Sequence, residues 1–241
     1  MSTTVRAISL ALFIGSCLGV NVASATLGEW ELEDNAEGVK VYKKEVAESP
    51  VLAFKGEGTI DASPLKIASV IFDSSRAHEW IVDLVSSQIV RWIDHANYVE
   101  YDHLHLPLFL KDRDFLSKVK IEFEKSSQTI RYVFSNASET DVSPQLPVGS
   151  SAKPLFVLDA NHVRGNLMNT VFEITPIGDG KTSLFKGEVH ADPKGSIPKW
   201  LVNFFQKDWP LDTFRGLRKQ SAKADVKDDE KLAQILKKLA E

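Results

Sequence analysis

The sequence predicts an α+β domain: a curved antiparallel β-sheet wrapped around a long C-terminal α-helix, with a hydrophobic cavity between them. Three observations carry this. Short segments of alternating hydrophobicity follow one another with turn residues between them, as in an antiparallel sheet with one buried face. One segment, starting near Ser196, is long, aromatic and helical in period. A sheet with one apolar face followed by such a helix is most simply closed by laying the helix across that face.

The chain opens with Arg6, an apolar run from Ala7 to Val20, and Ala23-Ser24-Ala25. A basic residue, a short apolar core and a small-x-small site predict a secretory signal peptide over 1–25, cleaved after Ala25, and hence a periplasmic or secreted protein. Ile14-Gly15-Ser16-Cys17 is a loose lipobox and leaves a lipoprotein tethered through Cys17 as the weaker alternative. The apolar run is shorter than the roughly 18 to 20 residues of a spanning helix. Cys17 is the only cysteine, so the domain at 26–221 has no disulfide and depends on its core. A formal charge of −4 argues against a nucleic-acid partner and against strong attraction to anionic lipid.

Val39 to Tyr42 and Leu52 to Ile60 alternate as half-buried strands, with Gly56 and Gly58 suited to a bend or close packing. Ser63-Pro64 caps a helix through Phe72, and Ser74 to Leu84 reads as a second helix. Strands follow at Gln88–Ile93, Asn97–Leu106, Phe115–Phe123, Thr129–Ser135, His162–Ile174 and Ser183–Ala191, with a loop at 136–153 and a hairpin signal at Asp179-Gly180. Ser196 can cap the long helix, with Pro198 in its first turn. Ile197, Trp200, Leu201, Phe204, Phe205 and Leu211 share one side, and Asp208 falls within that stripe, where a carboxylate needs a partner, solvent or a polar ligand group. Asp208, Asp212 and Arg215 are also spaced for a ladder on one helix face, with Pro210 a possible kink. Residues 222–241 form a charged C-terminal helix or tail in which Leu232, Ile235, Leu236 and Leu239 recur at helical spacing; it either docks on the domain or binds a partner.

Asp192-Pro193, Gly195, Ile197-Pro198, Trp200-Leu201 and Asn203, with Leu217-Arg218-Lys219 at the helix end, resemble the C-terminal helix of START domains, the lipid-transfer family with the helix-grip fold. Trp30, Gly38 to Tyr42, Lys55 to Gly58, Trp80, Leu106-Pro107, Arg113 to Phe115 and Arg164-Gly165 resemble further landmarks in the same order. The resemblance spans about Trp30 to Gln220 and implies binding of one hydrophobic molecule: sterol, phospholipid, fatty acid or carotenoid. It also places Glu100 where sterol- and carotenoid-binding members carry a carboxylate, whereas Val119 stands where those members carry an arginine.

The strand at Asn97–Leu106 presents Tyr98, Glu100, Asp102, Leu104 and Leu106 on one parity and Val99, Tyr101, His103 and His105 on the other; neither is plainly apolar. Met168, Thr170, Phe172 and Ile174 read as an inward face that Arg164 shares, unless a bulge at Gly165 flips it, which suggests a Glu100–Arg164 pair in the cavity. Expected ligand-binding residues are therefore Trp80, Glu100, Arg164, Phe172, Trp200, Phe204 and Asp208. Leu108, Phe109 and Leu110, within five consecutive apolar residues, are expected to form a gate with transient membrane contact. His103 and His105 have metal-compatible spacing but no third ligand near them in sequence, so they read as a satisfied pair and no metal is expected. Without a thiol in the domain, a Gly-x-Ser-x-Gly or a phosphate-binding glycine loop, the reading is a monomeric, cofactor-free carrier and not an enzyme. The alternatives are a cavity enzyme of the cyclase or isomerase type using Glu100, Asp102 and His103, or a sensor acting through 222–241.

Overall fold

A computed structural model describes residues 28–106, 110–142 and 161–241. The expected signal peptide with Cys17, and Leu108 and Phe109 of the expected gate, lie outside the described residues. Among the described residues ten strands form one curved, open sheet: β1 (Glu31–Ala36), β2 (Val39–Lys44), β3 (Ala53–Ile60), β4 (Leu84–Trp92), β5 (Asn97–Leu104), β6 (Arg113–Glu124), β7 (Thr129–Asn136), β8 (Val163–Arg164), β9 (Asn166–Ile177) and β10 (Thr182–Asp192). The order across the sheet is β1-β2-β3-β10-β9-β7-β6-β5-β4, antiparallel throughout, with β8 paired in parallel to β6 off this path.

Between β3 and β4 the chain forms α1 (Pro64–Phe72), whose first turn is capped by the Ser63 hydroxyl accepting from the Lys66 N–H at 3.2 Å. The expected second helix is only a 3₁₀ segment, Ser74–Glu79, because the following residues turn into β4 at Leu84. Strand β1 was not anticipated: its residues are nearly all exposed, so it carries no buried alternation to read. A short α2 (Glu139–Val142) buries Val142 against Val99, Tyr101 and Leu116, which identifies that parity of β5 as the outer face.

The long helix is two helices, α3 (Lys199–Gln206) and α4 (Trp209–Ser221). Pro210 lacks the N–H that would bond the Gln206 carbonyl and its ring crowds that turn, so the hydrogen-bond ladder stops at Lys207 and restarts at Asp208. Ser196 does not cap α3; Pro198 occupies that position with extended backbone and no side-chain bond.

Helix α4 lies on β3. Phe214 fits where Gly56 and Gly58 have no side chain, since a Cβ at either would come within about 3 Å of its ring. Phe214 also meets Phe185 edge-on at 5.2 Å. Farther along, α4 passes so close to the preceding connection that a Cβ on Gly216 would stand 2.1 Å from the Trp80 carbonyl oxygen. The C-terminal segment folds as α5 (Glu230–Ala240), capped by Asp229, with Leu232 and Ile235 buried in the main core. Asp229 N–H donates to Ser69 Oγ at 2.8 Å, and the Lys66 ammonium donates to the Val226 carbonyl, so both ties reach α1. Residues 222–241 are therefore docked on the domain.

Gly216→Ala should lower stability by about 1–3 kcal/mol, because the new methyl meets backbone that cannot rotate away. Urea unfolding with an unchanged midpoint would show that the contact is slack.

Candidate ligand-binding site

A cavity of about 270 Å³ lies between the sheet and the two helices. Its inner end is formed by Trp80, Phe134, Phe172 and Trp209, with Phe172 and Trp209 stacked at 6.0 Å. Its outer end is formed by Leu106, Leu110, Ile197, Val202 and Phe205. Leu106, Leu110, Ile197 and Val202 pack in one cluster with Val51, so the β5–β6 connection and the start of α3 close the same side.

Two carboxyls stand on one wall. Glu100 and Asp102 alternate with outward residues on β5 and both line the cavity with Ser87 of the neighbouring strand, whose hydroxyl donates to Glu100 at 3.2 Å. Burial pushes Glu100 well above the usual carboxylate range; repulsion from Asp102 adds to this and the Ser87 hydrogen bond opposes it. Burial likewise raises Asp102 to about 6, again opposed by Ser87. Across the strand pair Glu100 faces Ser117, and Val119 packs beside Tyr98, so β6 offers no cation there. The lining cation Arg113 is committed elsewhere: it donates to the carbonyls of Lys111, Pro193 and Lys194. These bonds join the start of β6 to the turn before α3. Trp80 Nε1 and Thr170 Oγ1, both buried on lining residues, have no hydrogen-bond partner among the described residues.

Trp80, Glu100 and Phe172 thus line the cavity, as does Leu110 of the expected gate. Arg164 does not. It makes a two-point bond to Asp114, at 2.9 and 3.1 Å, in place of the expected pair with Glu100. Strand parity does not carry through to Arg164 because the β9–β10 register shifts between His190 and Ala191; Leu167 then faces the cavity and Met168 is exposed. Gly165 separates β8 from β9 and leaves room for the Phe115 ring, which a Cβ would meet at 2.4 Å.

Trp200 and Phe204 also lie outside, 70% and 52% exposed. The helix turns inward the edge of the stripe at Phe205 together with Val202, which lies outside the stripe, while Trp200 and Phe204, four residues apart, stay on the opposite side. Hydrogen bonds orient α3 this way: Asn203 accepts from the Leu52 N–H at 3.1 Å and Gln206 donates to the Ala191 carbonyl at 2.8 Å. Asp208 is exposed at the break and makes no capping bond. Arg215 joins Asp212 at 3.0 Å and Glu37 at 2.6 Å, so the charged ladder is a surface feature of α4.

The family model of the START domain matches residues 20–224. The chain belongs to the START domain family. An uncharacterized protein of Pseudomonas aeruginosa is 27% identical over 204 residues, covering 84% of this chain and 92% of that protein. Among solved structures, this START domain is similar to a STAR-related lipid transfer protein from Xanthomonas axonopodis, with a TM-score of 0.64 at 25% identity over 80% of this chain and 99% of that one. Human STARD10 superposes with a TM-score of 0.67 at 19% identity, covering 81% and 74% of the two chains, and shares the fold.

The raised Asp102 carboxyl makes a prediction with a definite sign. A carboxyl whose pKa is higher folded than unfolded takes up protons on folding, so it destabilises the fold increasingly as pH rises from about 3.8 to about 6. Asp102→Asn should therefore unfold at higher denaturant than the parent at pH 7, with the gap shrinking toward pH 4. A pH-independent gap would contradict the burial of this carboxylate.

Proposed function

We propose that the protein is a non-enzymatic, monomeric carrier that binds one lipid-like molecule with a hydroxyl or amino group at its polar end and exchanges it with membranes. The observation that carries this is the apolar cavity with two uncompensated carboxyls on one wall. Apolar burial supplies affinity at about 25 cal/mol per Å², and a few polar groups orient the ligand. Asp102, whose carboxyl is ionised above about pH 6, accepts hydrogen bonds and repels an anion, which favours a donor-bearing end, as in a sterol, over a free fatty acid carboxylate. The open donor at Trp80 Nε1 and the hydroxyl of Thr170 give further orienting groups.

Membrane contact is assigned to α3. Trp200 and Phe204 sit on the outside of the helix whose inner side closes the cavity, and Lys207 lies 4.7 Å over the Phe204 ring. Exposed aromatics beside a lysine suit the interface between headgroups and acyl chains. The pattern over residues 1–25 supports action outside the cytoplasm.

The cavity-enzyme alternative keeps Glu100 and Asp102 as acid–base groups, since Asp102 at about 6 is near the working range. It loses His103, which lies on the outer parity of β5 and bonds Asp112. The sensor alternative loses the buried Leu232 and Ile235 as free docking residues.

Transfer of a fluorescent sterol between phosphatidylcholine vesicles tests the proposal. Thr170→Trp, which fills the cavity, should abolish binding. Trp200→Asp with Phe204→Asp should keep equilibrium binding and slow transfer at least tenfold. Unchanged transfer in the helix variant would remove the membrane role of α3, and product formation from the bound molecule would favour the enzyme.

A further inference from the structure

The side of β5 facing away from the cavity carries a cluster that lipid binding does not use. His103 Nε2 lies 2.7 Å from one oxygen of Asp112, and His105 Nδ1 lies 2.9 Å from the other. The His162 ring stacks on His103 with centroids 4.1 Å apart. One ligand atom from each of His103, Asp112 and His162 falls within a 4.8 Å group. The His-x-His spacing lacked a third ligand in sequence because Asp112 lies across a loop and His162 enters from the start of β8, which pairs in parallel with β6 beside it.

We infer that His103, Asp112 and His162 form a binding site for one divalent transition-metal ion of the zinc class, separate from the lipid cavity. Two imidazoles and one carboxylate match the ligand preference of zinc, and three protein ligands leave a fourth position for water or His105. Tetrahedral bonds of roughly 2.0–2.1 Å place donor atoms about 3.3 Å apart, so the ion fits after the 2.7 Å His103–Asp112 contact opens by about half an ångström and His162 closes in. All three side chains are partly exposed, so an ion can enter. His105, holding the second oxygen of Asp112, orients the carboxylate, as a partner one bond removed from a metal commonly does. The nearby Arg113 guanidinium attracts Asp112 electrostatically but donates its hydrogen bonds to three backbone carbonyls.

The position gives the ion a structural consequence. His105 and Asp112 bracket the β5–β6 connection, and Leu106 and Leu110 of that connection line the cavity. An ion bound to His103, Asp112 and His162 would tie both ends of this loop to β8.

Calorimetric titration of the purified full chain with zinc chloride should show one site per chain. His103→Ala and His162→Ala should each weaken binding at least tenfold, His105→Ala should weaken it less, and His78→Ala should leave it unchanged. Cobalt(II) added to the unaltered protein should give the intense visible absorption of a tetrahedral site, a readout that does not depend on any variant folding. No saturable uptake of zinc together with a merely octahedral cobalt spectrum would overturn the site. Uptake of full affinity in both His103→Ala and His162→Ala would overturn it as well.

Discussion

Phe214 seated against Gly56 and Gly58 is the contact on which the rest of the molecule depends. Two glycines on one face of β3 let helix α4 approach the sheet much more closely than side chains would allow, and the ring fills the gap they leave. With α4 held there, and with Gly216 against the Trp80 backbone, the helix has little freedom to slide or roll. The fixed helix then determines where the sheet stays uncovered. Pro210 breaks the helix just before this anchor, and α3 continues over the uncovered part, held by the bonds of Asn203 and Gln206. Tight packing at one end of the grip leaves space at the other.

That space is costly to keep. A cavity forfeits dispersion contacts along its lining, and the carboxyls of Glu100 and Asp102 are held where their charged forms are poorly solvated. A ligand that fills the apolar part and donates to the carboxyls offsets both costs, so binding and stability are linked. The same linkage bears on release. The residues closing the outer end come from two connections and a short helix, Leu106, Leu110, Ile197 and Val202, and they pack through their side chains, while the Arg113 hydrogen bonds tie the same two connections together. An opening there disturbs little of the main core.

Much of the fold was legible because its signals are local. Strand alternation, the Ser63 cap and the glycines of β3 follow from short-range chemistry, and the family resemblance added the grip of sheet on helix. Phe172 follows from strand parity, whereas Glu100 and Trp80 are placed on the cavity by the family resemblance. What failed depended on relations between distant segments. Trp200 and Phe204 share an apolar stripe with Phe205, and the hydrogen bonds of Asn203 and Gln206 turn inward the edge at Phe205 together with Val202, which lies outside the stripe. Arg164 was assigned by parity, which a single register shift in β9 and β10 invalidates beyond it. Asp112 reaches His103 across the β5–β6 hairpin, and His162 joins them only through the β6–β8 pairing.

On this reading the cavity holds one hydrophobic molecule with a donor group turned toward Glu100 and Asp102. Native mass spectrometry of the protein isolated from its own host, with extraction of what it carries, measures this most directly. A single retained molecule per chain is expected, largely hydrocarbon and ending in a hydroxyl or amine. A retained molecule with an anionic end, or a chain isolated with nothing bound and no uptake of such lipids, would contradict it.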